Sequence, residues 1–279
     1  MLHQSGINIF ISLQKIYIIN IMKKINIILF LVLLCLCNAC REKEILPTDN
    51  KLTIAFNHHV DKQNIDLDNK FYTNVSGNEY MISEIKYFVS NICLYKNGEH
   101  YNIPDIHYID ITYPSSLFFT TPTKWESGLY DSLSFIFGIT DAENTTNRFV
   151  NFPENTMSWP VILGGGYHYM MINGKYKEND TLKAMNIHLG RGQIYIGTTH
   201  ATDSIVGFVD NSFKVCLPLK QVLFENTKDT IFIEMNINNW FANPFNFNIA
   251  YFGSHIMQNQ TAMQMLKSNG EIDVFTIKN

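Results

Sequence analysis

The chemistry-bearing residues of this chain are concentrated between positions 157 and 190, where metal-binding side chains gather around a triple glycine. Two imidazoles, one indole and several thioethers fall in this stretch, and the candidate ligands among them are His168, His188, Trp159, Met157 and Met170. Imidazole and thioether groups suit copper, above all its reduced form, because that ion accepts soft donors. The stretch is therefore a candidate copper site, with the histidines as nitrogen donors and Met157 or Met170 as a sulfur donor.

Each of these residues also has a purely structural interpretation. A lone histidine on a strand is more often hydrogen-bonded to the fold than bound to a metal, and buried tryptophan and methionine more often serve packing. The glycines at 164–166 lack the sequence context of a phosphate-binding loop. Zinc is less favoured than copper, since neither a cysteine pair nor a His-Glu helix motif accompanies the histidines.

His58 and His59 form a second histidine pair in the sequence. Adjacent residues on a strand point to opposite faces, so these two rings are not expected to chelate one ion unless the strand bends. A solvated strand end is the favoured interpretation.

The elements that must position the candidate site are predicted to be β-strands. Apolar side chains recur at every second position in several segments, as in Leu52, Ile54 and Phe56, Leu133, Phe135 and Phe137, and Ile231, Ile233 and Met235. Such alternation is typical of strands with one buried face. Asn-Gly pairs at 97–98 and 173–174 predict turns between strands. The chain is therefore predicted to be all-β, an antiparallel β-sandwich with long loops and one or two short helices.

Within this frame, residues 166–172 are predicted to form a strand that carries His168, Met170 and Ile172 on one face. His188 is expected at the end of another strand, beside a glycine-containing loop, where functional sites are usually built. The three glycines at 164–166 permit positive φ angles or a close approach of two backbones.

Three segments near the C-terminus break or close the strand pattern. Residues 217–224 are predicted to form a short helix after a strand, and residues 256–267 show helical spacing, followed by an Asn-Gly stop signal at 269–270. Residues 272–277 are then predicted to be a closing strand.

The N-terminus is typical of an exported lipoprotein. A lysine pair at 23–24 precedes an apolar run at 25–36, and a small residue followed by Cys40 ends the segment. This is the order of a secretory signal, and the cysteine predicts a lipoprotein signal over residues 1–40, with Cys40 acylated and Met22 as the true start. Plain cleavage or an uncleaved anchor are the alternatives.

The remaining organisation follows from this signal. Residues 41–50 are polar and without periodicity, which predicts a flexible tether, and residues 51–279 are predicted to be one β-sandwich domain. The lipid on Cys40 makes the membrane the expected partner. The expected location is the cell envelope, as an outer-membrane lipoprotein that faces the periplasm or the surface, and no protein partner is indicated.

Composition and motifs argue against two classes of function. The net charge is −4, and removal of residues 1–40 takes away lysines but no acidic residue, so nucleic-acid binding is not expected. Asp110, Asp131 and Glu143 are scattered, and no Gly-x-Ser-x-Gly motif is present. The chain is therefore predicted not to be an enzyme.

Two cysteines remain after the signal, Cys93 and Cys216, and each lies in the middle of a predicted strand. In an oxidising compartment they could pair as a disulfide. Two buried free thiols fit the pattern equally well, because cysteine packs readily as a small hydrophobic residue.

The candidate stretch resembles the MbnP/MopE-like family of copper-binding proteins. The matching motifs are Met157-x-Trp159, Gly166-Tyr167, Gly174 and His188-x-Gly190, with further matches at 71–74, 86–91, 240–244 and 269–275. The resemblance thus extends over nearly all of residues 51–278. It implies an exported β-sandwich in which two imidazoles, and a kynurenine formed by oxidation of tryptophan, hold copper.

Carried over residue by residue, the resemblance gives an incomplete ligand set. Trp159 matches the kynurenine precursor and His188 matches one imidazole ligand, but the second ligand position, two residues after the tryptophan, is Val161. His168 is the natural substitute. Two functions follow: a lipoprotein that binds copper for acquisition or sequestration, or a metal-free surface lipoprotein that serves as a recognition or structural module.

Overall fold

The computed structural model describes residues 51–121, 126–197, 200–223, 228–253 and 256–278. The predicted signal segment with Cys40 and the tether at 41–50 lie outside these residues. Among the residues that are described, no helix is both long enough and apolar enough to cross a membrane.

The described residues are built mainly of β-strands, as the alternation of apolar side chains predicts. The strands are β1 Lys51–Val60, β2 Gln63–Asn64, β3 Phe71–Thr73, β4 Glu79–Lys96, β5 Glu99–Asp110, β6 Phe118–Thr120, β7 Gly128–Phe137, β8 Met170–Glu178, β9 Thr181–Leu189, β10 Gly192–Tyr195, β11 Ile205–Val209, β12 Phe213–Leu223, β13 Lys228–Asn236 and β14 Phe275–Ile277. The predicted all-β class is confirmed.

Two sheets contain most of these strands. The larger sheet has the order β12-β7-β4-β8-β9, with β3 and β5 also paired to β4, and the smaller has the order β14-β13-β1-β2, with β6 on β1. The strands β10 and β11 form a separate ribbon. Neighbours run antiparallel, except that β1 pairs with β13 in parallel.

The core lies between the inner faces of the two sheets. Phe56 on β1 packs against Tyr87 on β4 and Phe135 on β7, with ring centroids 6.3 and 6.5 Å apart, both edge to face. Phe275 on β14 lies 5.3 Å from Phe135 in the same way. Aromatic pairs of this geometry add to the free energy of area burial. The sandwich predicted from the sequence is thus present.

The outer face of the larger sheet is covered at one end by the long connection from β7 to β8. Phe88 points away from the sandwich and is fully buried. It stacks on Phe149 of this connection at 5.5 Å, and Phe149 in turn meets Tyr167 at 5.0 Å. A small outer core therefore forms on the far side of the sheet, and it encloses the candidate site.

In the part of the chain that the structure describes, the α-helices are two short ones, α1 Ile249–Phe252 and α2 Gln260–Gly270. The second begins later than predicted, where the Asn259 side chain accepts a hydrogen bond from the Ala262 N–H and caps the helix. Its last residue, Gly270, permits close packing: an added Cβ would lie 2.4 Å from the ring of Phe213. The closing strand is shorter than predicted, because it spans only β14.

The predicted helix at 217–224 is wrong. Its described residues, 217–223, belong to β12, in which Val215, Leu217 and Leu219 are buried and the residues between them are exposed. This two-residue period continues the strand, and β12 pairs with β7 along its length. The predicted turn at 173–174 is also wrong, since both residues lie inside β8. The turn at 97–98 is confirmed between β4 and β5.

Candidate metal centre

A tight reversal of the chain brings His168 back to Trp159. The Trp159 N–H donates to the Gly166 carbonyl at 2.8 Å, and the His168 N–H donates to the Met157 carbonyl at 2.7 Å. Between these two bonds, Val161–Leu163 forms a turn of 3-10 helix. The glycines that follow have φ angles of 109°, 64° and 82° at 164, 165 and 166. Residues with side chains rarely adopt these angles, so the triple glycine closes the loop.

Neighbouring polar side chains hold this loop in place. The Asn144 side chain accepts a hydrogen bond from the Tyr167 N–H at 2.8 Å. The Arg191 guanidinium donates to the Gly164 carbonyl at 2.8 Å and to the Asp141 carboxylate at 2.6 Å. A Cβ on Gly166 would lie 2.4 Å from Asn144 Oδ1, so a larger residue would displace this anchor. None of these anchors is evident from sequence spacing.

Strand β8 begins only at Met170, because the chain bends at Tyr169. Because of this bend, the His168 side chain does not follow the alternation of side chains along β8. Met170 is 0 % exposed and points into the sandwich with Ile172, whereas His188 on β9 lies between the buried Ile187 and Leu189 and so faces the outer side. The structure therefore does not bring Met170 to the histidines, and the face predicted for His168 and Met170 together is not formed.

Three of the predicted site residues do come together. The ring of His168 lies between the other two, with its centroid 4.7 Å from Trp159 and 5.0 Å from His188, edge to face in both contacts. His168 comes from the loop and His188 from the end of strand β9, so the two imidazoles meet on the outer side of the larger sheet.

Hydrogen bonds fix which nitrogen of each imidazole carries the proton. His168 Nδ1 lies 3.0 Å from the Met157 carbonyl, which only accepts, so Nδ1 donates and Nε2 keeps its lone pair. His188 Nε2 lies 2.7 Å from Asn173 Oδ1, so Nε2 donates and Nδ1 keeps the lone pair. Metal-binding histidines are commonly oriented by such bonds to a carbonyl or amide oxygen.

The lone-pair nitrogen of His168 is buried and has no hydrogen-bond partner in the described residues. Burial lowers the pKa of His168 to about 4. Burial, and then the neighbouring His168, lower the pKa of His188 to about 3. Both rings are therefore neutral at pH 7, which is the state in which imidazole binds metals.

Trp159 is buried against the His168 ring. Its indole N–H donates to the Leu163 carbonyl at 3.1 Å. Gly190 faces the indole so closely that an added Cβ would lie 2.6 Å from the ring. Trp159 thus anchors the outer core and also forms one wall beside His168, while its role at a metal stays a prediction.

The residues of the candidate site lie within a match to a known protein family. The family model for MbnP matches residues 49–261. The chain belongs to the MbnP family. Among solved structures, MbnP from Methylosinus trichosporium matches with a TM-score of 0.46 and 13% sequence identity, over 68% of this chain and 77% of that chain. No curated protein gives a significant match. The resemblance to the MbnP-like family is thereby confirmed.

In this MbnP-family chain, neither Val161 nor the Met157 side chain is placed as a metal ligand. Val161, at the position two residues after the tryptophan, is 72% exposed on the 3-10 turn and points to solvent. Met157 is fully buried, and its contact with His168 is made by its backbone carbonyl. Asn173, which the sequence placed in a turn, instead orients His188.

In the described residues, the candidate site included, no group of three or more His, Cys, Asp or Glu side chains could hold a metal ion. Cys93 and Cys216 are free thiols, the first buried and the second exposed. Both lie opposite Ser134, on the two sides of β7. Two strand spacings, about 9–10 Å, separate them, which is too far for a disulfide.

Proposed function

We propose that this MbnP-family protein is a lipoprotein of the cell envelope that binds copper through His168 and His188. Its role is to acquire or sequester the ion. It acts as a binding protein, not as an enzyme, and the lipid on Cys40 attaches it to the outer membrane. The observation that carries the proposal is the buried, unpartnered Nε2 of His168 beside a second neutral imidazole.

The energetic argument starts from that unpartnered atom. A buried polar group without a partner costs about 1–3 kcal/mol, so proteins seldom keep one without a reason. An imidazole nitrogen binds a transition metal at about 2 Å, so two rings that share an ion have centroids about 5–6 Å apart. The observed separation of 5.0 Å fits this range.

The donor set fits reduced copper better than zinc. Monovalent copper is stable with two or three soft or borderline donors, whereas structural zinc takes four ligands in a tetrahedron. The Met157 carbonyl and the Asn173 amide orient the two rings before the ion arrives, as hydrogen bonds to metal-bound histidines do. Conversion of Trp159 to kynurenine remains a prediction, and the mass of the Trp159 peptide tests it.

The second candidate function is a metal-free surface module. It is favoured by Val161, because the position at which the resemblance implies a ligand carries an apolar, solvent-exposed side chain. In that case the outer core around Trp159 serves only packing, and the histidines remain unoccupied.

Metal content separates the two candidates. The protein is loaded with Cu(I) in the absence of oxygen, desalted, and its copper measured per chain. We expect one bound ion in the native chain and none in the variant His168→Ala/His188→Ala. The control His59→Ala removes an imidazole elsewhere and should bind as the native chain does. Equal copper in the double variant would contradict the assignment.

Attachment to the membrane is tested separately. In cells fed a radiolabelled fatty acid, the native chain should incorporate label and fractionate with membranes. Cys40→Ser should lose both properties, while Cys93→Ser should keep them. Label that persists in Cys40→Ser would contradict the lipoprotein assignment without affecting the metal site.

A further inference from the structure

We propose that Met171 supplies a thioether donor to the His168–His188 centre and so makes it selective for monovalent copper. The inference rests on the proposed function and names a ligand that neither the sequence motifs nor the resemblance indicates.

The register of the larger sheet places Met171 beside His188. Met171 on β8 lies directly opposite His188 on β9. Side chains of directly opposed residues share one face, with Cβ atoms about 4.5–5.5 Å apart. Met170, one position earlier, lies opposite Leu189 and points into the sandwich instead. Of these two consecutive methionines, only Met171 is on the side of the histidines.

The environment of Met171 leaves its sulfur as a suitable donor. The side chain is half-buried at the margin of the core, and methionine is unbranched, with three rotatable bonds that let its sulfur reach a nearby atom. On the neighbouring strand Lys86 lies opposite Met171, and its ammonium group holds the Glu84 carboxylate at 2.6 Å. That carboxylate is therefore paired with a cation.

A third donor changes which ion the site prefers. Two imidazoles alone accept several divalent metals, but a thioether is a soft ligand that favours Cu(I). Met171 would complete a three-donor site without any contribution from Val161, whose side chain is directed to solvent. The ligand set then comes from one loop, β8 and β9.

The test compares the two consecutive methionines in the full chain, purified in detergent without oxygen. Cu(I) affinity is measured by competition with bicinchoninate for the native chain, Met171→Leu and Met170→Leu. Loss of a second-shell group costs roughly 10–100-fold in affinity, so loss of a direct donor in Met171→Leu should cost at least about tenfold. Met170→Leu should bind like the native chain, and Zn(II) affinity should change less than Cu(I) affinity in Met171→Leu.

X-ray absorption at the copper edge provides the second measurement, and it needs no variant. The native chain loaded with Cu(I) should show sulfur in the first coordination shell, and Met171→Leu should not. Copper bound by nitrogen alone in the native chain would overturn the role of Met171 and leave the proposed function intact. A native chain that binds no copper would overturn both.

Discussion

The two histidine pairs of this protein differ in what surrounds their rings. His168 and His188 are far apart in sequence but meet edge to face, and the buried Nε2 of His168 has no hydrogen-bond partner among the described residues. His58 and His59 are adjacent on β1, yet each is satisfied separately. His58 Nε2 lies 3.0 Å from the Tyr87 hydroxyl, and His59 Nδ1 accepts the Lys62 N–H at 3.2 Å.

The difference shows that convergence in the fold, and not adjacency in the sequence, brings two imidazole rings together. The rings of His58 and His59 line one open cavity of about 440 Å³, but His59 is turned towards Glu234, 3.9 Å from its carboxylate. Alternation along the strand separates them, as the sequence predicts. The long loop with three glycines is what brings the other two rings together.

The largest effect expected from this comparison is a loss of stability in acid. Burial lowers the pKa of His168 to about 4 and the pKa of His58 to about 3, both below the value near 6.5 of an unfolded chain. The unfolded state then binds more protons as the pH falls from about 6.5 to 4, so the free energy of unfolding drops by an amount on the order of a few kcal/mol.

Chemical denaturation at pH 7, 5.5 and 4 measures this loss. The variant His168→Gln keeps an amide in place of the ring but cannot titrate in this range, so its free energy of unfolding should depend less on pH. A variant with the same pH dependence as the native chain would show that His168 is not held neutral by burial.

A smaller effect is expected from crowding the tryptophan wall. In Gly190→Ala the new methyl group would meet the Trp159 ring at 2.6 Å and press it towards His168. Overpacking of this kind costs about 1–3 kcal/mol. At Gly207 an added Cβ would make an ordinary contact of 3.4 Å, so Gly207→Ala is the matched control. The midpoint of thermal unfolding is measured for both variants. Equal midpoints would contradict the close packing of Trp159 on Gly190.

The orientation of His188 gives a smaller change, seen in metal affinity. Asn173→Ala removes the acceptor that holds Nε2–H at 2.7 Å and should weaken Cu(I) binding roughly tenfold. Asn173→Asp still accepts this proton and should restore most of the affinity. Competition titration with bicinchoninate measures both variants, and an alanine variant that binds as tightly as the native chain would remove Asn173 from the site.

The smallest effect is expected in the second pair. His59 is half-buried, and its contact with Glu234 is long at 3.9 Å. His59→Ala should change the free energy of unfolding by less than about 0.5 kcal/mol and leave copper binding unchanged. A large loss of bound copper in His59→Ala would assign the metal to the His58–His59 pair instead of His168 and His188.

Much of the fold was predictable because strands with one buried face alternate visibly. The prediction failed where local signals opposed that pattern. The Asn-Gly pair at 173–174 indicated a turn, but the glycine serves a close approach of β4, since a Cβ there would lie 1.9 Å from the Met81 carbonyl. Had β8 been extended through this pair, Asn173 and Met171 would have fallen on one face.

The candidate site was predictable in its histidines and tryptophan, but not in its sulfur donor. The phase of β8 is set by the bend at Tyr169, which follows a loop held by two hydrogen bonds: the Tyr167 N–H donates to the Asn144 side chain, and the Arg191 guanidinium donates to the Gly164 carbonyl. Residues distant in sequence supply these bonds, so no periodicity along 166–172 could show that Met170 turns inward and Met171 outward. Whether Cys93 and Cys216 form a disulfide likewise could not be decided without the order of the strands.

The outer core has a consequence for how such proteins diverge. Phe88, Phe149 and Tyr167 pack on the far side of the larger sheet from the sandwich interior, so the loop that carries His168 can lengthen, shorten or exchange residues without altering the inner packing. The histidine site is therefore tied to the packing of this outer core, through Trp159 and its contact with His168. A substitution in the loop is expected to change the site and the outer packing together.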